Sequence, residues 1–167
     1  MVVRELWQEL SEAAFAPAGF EVGFGDGEGL PPIPIPGGMN AVLRGFIDRV
    51  DIWDNGASRY YRVVDYKTGK KDFDYCDVFN GVGLQMLLYM FALKSSGSDM
   101  LGDRPVAAGV QYFPARAPYL TSDGKLTAEE AEQERISKWK RKGLLLNDED
   151  VLQAMERETR PSGCVTA

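Results

Sequence analysis

Residues 43–89 read LRGFIDRVDIWDNGASRYYRVVDYKTGKKDFDYCDVFNGVGLQMLLY, and the fold follows from how this stretch is parsed. Residues 42–53 are dominated by apolar and β-branched side chains and run into Asp54-Asn55-Gly56, a strong turn signal. Residues 60–67 (YYRVVDYK), rich in Tyr and Val, suit a return strand. Together they predict an antiparallel hairpin with a loop slightly longer than two residues. Side chains alternate along a strand, so Asp65 and Lys67 share one face and Tyr66 takes the other. On the first strand Asp48 points to one side, and Arg49 and Asp51 to the other.

Such a hairpin can bring Asp48 to Asp65 and Lys67. Two neighbouring carboxylates repel unless a cation sits between them. Mg²⁺ suits that position, because it binds through one or two carboxylates and keeps several waters. A lysine beside it can orient or help deprotonate a water, or stabilise charge on a phosphate in the transition state. These parts describe metal-assisted phosphodiester hydrolysis. Residues 81–94 (GVGLQMLLYMFALK) predict a strongly apolar, mostly buried helix. Gln85 and Tyr89 are its polar interruptions and lie on one face at i and i+4. Taken singly, each piece has a plainer explanation: a solvated Asp-x-Lys, an Asp48–Arg49 surface pair, two satisfied core polars.

The order G-x-I-D, then D-Y-K, then Q-x-x-x-Y on the next helix resembles the nuclease domain of the PD-(D/E)XK superfamily in its RecB-like branch. GFIDRVD, VVDYKTG and GVGLQMLLYMFAL are most similar to the B subunit of AddAB-type ATP-dependent helicase–nucleases. The resemblance implies an α/β fold with a restriction-endonuclease-like core, a mixed β-sheet flanked by helices. It implies Asp48 and Asp65 as metal ligands, the Tyr66 carbonyl as a further ligand, Lys67 as the catalytic lysine, and Gln85 and Tyr89 as the helix motif that follows. The implied cofactor is Mg²⁺ or Mn²⁺. The implied activity is that of a DNA exonuclease domain leaving 5′-phosphate ends, on DNA fed as single strands by a helicase partner subunit, in double-strand break repair and recombination. The rivals are a catalytically silent DNA-guiding or docking module, and another RecB-like nuclease, stand-alone or CRISPR-associated.

Two departures from the family pattern stand out. An upstream ligand, often a histidine, is missing, since the chain has no histidine. The family's iron–sulfur cluster needs grouped cysteines, and Cys164 stands alone. Both fit one domain, residues 1–167 with its motif core at 43–94, as a piece of a longer polypeptide trimmed at both ends. No Walker A motif is present, so this chain is not itself the ATPase.

Composition sets bounds. At 167 residues, 44% hydrophobic and 26% charged, the chain is long enough for one real core. Its net charge of −6 means that DNA contact must come from a local basic patch or a partner subunit. Cys76 and Cys164 form no CxxC, and without a signal peptide or membrane span a reducing cytoplasm is expected.

Around the core, residues 2–15 predict an amphipathic helix with a Leu6, Leu10, Ala14 stripe widened by Val3 and Trp7. Pro17-Ala18-Gly19 should break it. Residues 20–24 (FEVGF) predict a short strand. Glu21 on it reads equally as a solvent-facing carboxylate or, through the family resemblance, as an acid approaching the metal. Ile33 and Ile35 suggest an edge strand. Asp77 or Asn80 is a candidate cap for the helix over residues 81–94. Residues 106–113 predict a strand that, coming after a helix, is a parallel neighbour of the core hairpin. Residues 114–123 predict an extended loop. Residues 127–142 predict a helix with a Thr127/Glu130 capping box, Gly143 as C-cap, and a basic end that reads first as complementing the helix dipole on a solvated face and second as a phosphate contact. Residues 149–158 predict a last helix, and residues 159–167 show no regular pattern.

Overall fold

The computed structural model describes residues 1–25, 27, 29–34, 42–69, 73–121, 124–156 and 165–166. Along them run α1 (Val2–Glu12), β1 (Ala16–Phe24), β2 (Ile33–Pro34), β3 (Val42–Leu43), β4 (Gly45–Asp54) and β5 (Arg59–Lys67). Then come α2 (Tyr75–Phe79), α3 (Gln85–Ser96), α4 (Ser98–Leu101), β6 (Val106–Pro114), α5 (Ala128–Lys138), β7 (Arg141–Leu145), α6 (Glu149–Met155) and β8 (Val165–Thr166). Six strands form one sheet in the order β1-β4-β5-β6-β7-β8, parallel at β5–β6 and β7–β8 and antiparallel elsewhere. The mixed sheet with flanking helices is the predicted architecture.

The β4–β5 hairpin closes as its turn residues dictate. Asn55 Oδ1 accepts from the backbone N–H of Ala57 and Ser58, and Gly56 takes a φ of 83° that a glycine adopts without strain. Parallel pairing of β5 with β6 demands a crossover, which α2, α3 and α4 provide. That crossover covers one face of the sheet, where Met86, Leu93 and Leu101 pack on Val50, Val63 and Val110. On the opposite face Met1, Val2 and Leu6 cover Val64, Phe113 and Trp139, while Val151, Ala154 and Met155 pack with Phe15 and Ala108.

Beneath α1 lies a buried ionic network. The Glu9 carboxylate takes Arg49 Nη2 at 3.0 Å, Arg62 Nη2 at 2.8 Å and Arg141 Nη1 at 3.0 Å. Asp51 pairs with Arg49 at 2.9 Å and Arg62 at 2.8 Å, and Glu156 closes on Arg141. Burial raises the Glu9 carboxyl, but Arg62, Arg49 and Arg141 outweigh it and hold the group below its ordinary value. Arg49, which the sequence offers as one half of a surface pair with Asp48, is instead buried here.

The network explains the largest departure from the expected arrangement. α1 turns Glu5 and Glu9 inward and leaves Val3 and Trp7 81% and 69% exposed, so most of the apolar stripe faces solvent. Other boundaries also move. Residues 17–19 continue into β1, absorbed by a register shift between Pro17 and Gly19. Gly81 and Gly83 take φ of 80° and 70°, which delays α3 to Gln85; α3 buries Met86, Tyr89, Ala92 and Leu93 but exposes Phe91. Neither Asp77 nor Asn80 caps it: Asp74 caps the short α2, and Asn80 ends it. The Thr127/Glu130 capping box forms, but α5 stops at Lys138 and Arg141–Leu145 is a strand. Gly143 is no cap; a Cβ there would collide with the carbonyl of Val110 on β6. α4 and β8 have no signal in the sequence pattern. Ile33 pairs with Leu43 in a separate two-stranded ladder, while Ile35, Lys70, Lys71 and Cys164 lie outside the described residues.

Candidate active site

Asp65 and Lys67 stand at the carboxyl end of β5, on the crossover face. Asp65 is 2% exposed, and Lys67 Nζ approaches its Oδ2 at 2.5 Å. The register pairs Arg49 with Val64, so the next position sets Asp48 beside Asp65. Asp48 Oδ2 accepts from the backbone N–H of Tyr66 at 2.8 Å, which fixes one carboxylate oxygen. Tyr112 of β6 is the direct neighbour of Asp65. Burial lowers the Lys67 ammonium, but its hydrogen bond and attraction to Asp65, with Asp48 adding, outweigh that and hold it above its ordinary value. Burial, and then the Asp65 charge, raise the Tyr112 phenol. Two carboxylates, a protonated lysine and a phenol therefore meet where parallel strands end, the usual place for a ligand on an open α/β sheet.

The remaining sequence candidates divide. The Tyr66 carbonyl belongs to the same extended segment, between Asp65 and Lys67. The Tyr66 ring crosses to the other face and accepts from Arg49 at 2.9 Å, so one residue ties the site to the buried network. Glu21 falls between the pairs Phe20–Arg49 and Val22–Ile47, across from Asp48. It is exposed, with a φ of 48°, a left-handed conformation uncommon for a side-chain-bearing residue. Among the described residues no three His, Cys, Asp or Glu side chains form a cluster in this structure. Gln85 Nε2 donates to Tyr89 Oη at 2.5 Å, and Tyr89 packs edge-on against Phe24. A Cβ on Gly45 would stand 3.0 Å from the same Phe24 ring, a tight contact that favours glycine in G-x-I-D.

Asp48 and Asp65 are hard oxygen donors, and a pair of them is the set that Mg²⁺ accepts alongside retained waters. The residues present fit that ion.

Sequence reasoning misses the space next to Lys67. A cavity of about 540 Å³ opens there between the end of β6, the residues after it and the start of β7. Arg116, Lys138, Lys140 and Lys142 line it, and none of its lining residues is acidic. The clue is the basic run at 138–142, which in the linear sequence reads as a helix end.

The model of the PD-(D/E)XK nuclease superfamily matches residues 1–164. The chain belongs to this superfamily. Its relatives include proteins named as the B subunit of an ATP-dependent helicase/deoxyribonuclease. The one from Clostridium novyi is 41% identical over 155 residues, covering 90% of this chain and 14% of that protein. The one from Bacillus subtilis is 39% identical over 153 residues, covering 90% and 13%. The one from Clostridium acetobutylicum is 36% identical over 165 residues, covering 98% and 14%. The chain thus spans about one seventh of the length of these curated relatives. Among the described residues no helix of this superfamily member is long and apolar enough to cross a membrane.

Proposed function

We propose that this chain is the Mg²⁺-dependent nuclease module of a helicase–nuclease, hydrolysing DNA phosphodiesters as an exonuclease during double-strand break repair. The observation that carries the reading is the meeting of Asp48, Asp65 and Lys67 at the end of β5. The names of the relatives support the substrate and the helicase partner. Asp48 and Asp65 hold the ion, and the Tyr66 carbonyl is the further ligand candidate. A bound Mg²⁺ supplies activation of water and neutralisation of phosphate charge. Lys67 enters as an ammonium that orients the attacking water and stabilises charge developing on the phosphate. Gln85 and Tyr89 act behind these groups, bracing the start of α3 against β1 and the Gly45 end of β4.

Calorimetric titration of Mg²⁺ into the chain and into Asp65→Ala tests the ligand set without requiring turnover. Saturable binding that disappears in the variant is expected. Equal binding by both proteins, or none by either, would count against an ion held by these carboxylates.

A further inference from the structure

We infer that the cavity beside Lys67 is a binding site for an unpaired DNA strand, with Tyr119 stacking a base and Arg116, Lys140 and Lys142 holding the backbone. The inference rests on the nuclease reading and assigns the substrate's path to residues outside the catalytic motifs.

The first argument is charge. The chain carries 25 acidic against 19 basic side chains, yet Lys67, Arg116, Lys138, Lys140 and Lys142 line the cavity and no acid does; Lys67 is paired with Asp65 and Lys138 with Glu134 from outside the lining, so the charge offered to a ligand rests on Arg116 and Lys140, with Lys142 on the same wall. A net-acidic protein that gathers its cations along one concavity creates the local field a polyanion follows. Backbone geometry makes this possible. β7 is antiparallel to β6, and Lys142 pairs with Tyr112, which places it on the same side as Asp65 and Lys67. Lys140, two residues earlier, continues toward the cavity.

The second argument is the aromatic wall. Tyr119 is 77% exposed, on a segment without regular structure, and its ring carries the Arg116 guanidinium at 4.7 Å from its centroid. A cation lying against an exposed ring beside a basic groove is the arrangement that seats a base and its phosphate. The floor is firm by contrast: Trp139 is buried, and its indole N–H donates to the Pro114 carbonyl at 3.2 Å. A base in a duplex cannot offer its face to Tyr119, so the geometry favours a single strand.

The test uses fluorescence anisotropy with a labelled oligothymidylate of about 20 nucleotides, in chelator so that no strand is cut, alongside cleavage assays in Mg²⁺. Tyr119 is exposed, so its substitution leaves the fold intact. Tyr119→Ala should raise Kd about fivefold or more, and Tyr119→Phe, which keeps the ring, should not. Lys140→Ala should flatten the dependence of log Kd on log salt by about 0.7. A blunt duplex should bind more weakly and be indifferent to Tyr119→Ala. Unchanged oligothymidylate Kd in Tyr119→Ala, or no saturable binding by the parent chain, overturns the proposal. Ring-dependent binding without cleavage supports the strand site and overturns the nuclease reading alone. Cleavage without ring dependence does the reverse.

Discussion

Glu9→Gln removes one charge and almost no volume from the centre of the fold. Three buried guanidinium groups, Arg49, Arg62 and Arg141, are matched by the carboxylates of Glu9, Asp51 and Glu156. Glu9 alone touches all three arginines. The variant leaves one uncompensated positive charge where solvent cannot reach it. Breaking a buried pair from one side costs about 3–5 kcal/mol, and three partners argue for the upper half of that range. A domain of this size loses about 2–4 °C of Tm per kcal/mol, so Tm should fall by about 8–20 °C. Urea unfolding followed by tryptophan fluorescence reads this through Trp139, which is buried on the α1 side of the sheet. A pH series gives an independent reading. The Glu9 carboxyl is held below its ordinary value in the fold, so the unfolded chain binds its proton first as pH falls. Its contribution is complete above about pH 4.5 and is lost as pH drops through the folded-state value. The parent should lose this increment in acid, and the variant should have none to lose there. If Glu9→Gln unfolds within about 1 kcal/mol of the parent, with the same acid profile, the network is not what holds α1 to the sheet.

Other substitutions probe separate claims. Lys67→Met should slow DNA cleavage by about 10²–10⁴-fold while calorimetry still detects Mg²⁺ binding, because the lysine is assigned to water and phosphate rather than to the ion. Gly143→Ala forces a methyl into the Val110 carbonyl and should cost about 3 kcal/mol or more in urea denaturation. Glu21→Gly relieves a left-handed backbone and should raise stability by about 1 kcal/mol; retained Mg²⁺ binding in that variant would remove Glu21 from the ligand set.

The centre of the molecule is legible because its signals are local. Asn55 and Gly56 specify their turn, alternation places Asp65 and Lys67 together, and a strand pattern that follows a helix gives the hairpin a parallel neighbour. The misreadings share a different cause, which is that the deciding contact is remote in sequence. α1 looks amphipathic in the ordinary sense, yet its Glu9 is drawn inward by arginines on β4, β5 and β7. Gly143 looks like a helix stop until the Val110 carbonyl is seen above it. Tyr119 carries no signal in a linear reading and Lys140 reads only as part of a basic helix end, and the cavity that unites them exists only once β7 has paired with β6.

β1 bears on how the molecule behaves in a crowd of its own copies. It is the outer strand of the six-stranded sheet, and a long regular outer strand is a template on which other chains can pair and grow into fibrils. This one is a poor template. Pro17 withholds an N–H, the ladder slips between Pro17 and Gly19, and the left-handed turn of Glu21 bends the remaining run. Smoothing those irregularities to make a tidier strand would give the sheet an open end that other chains could extend.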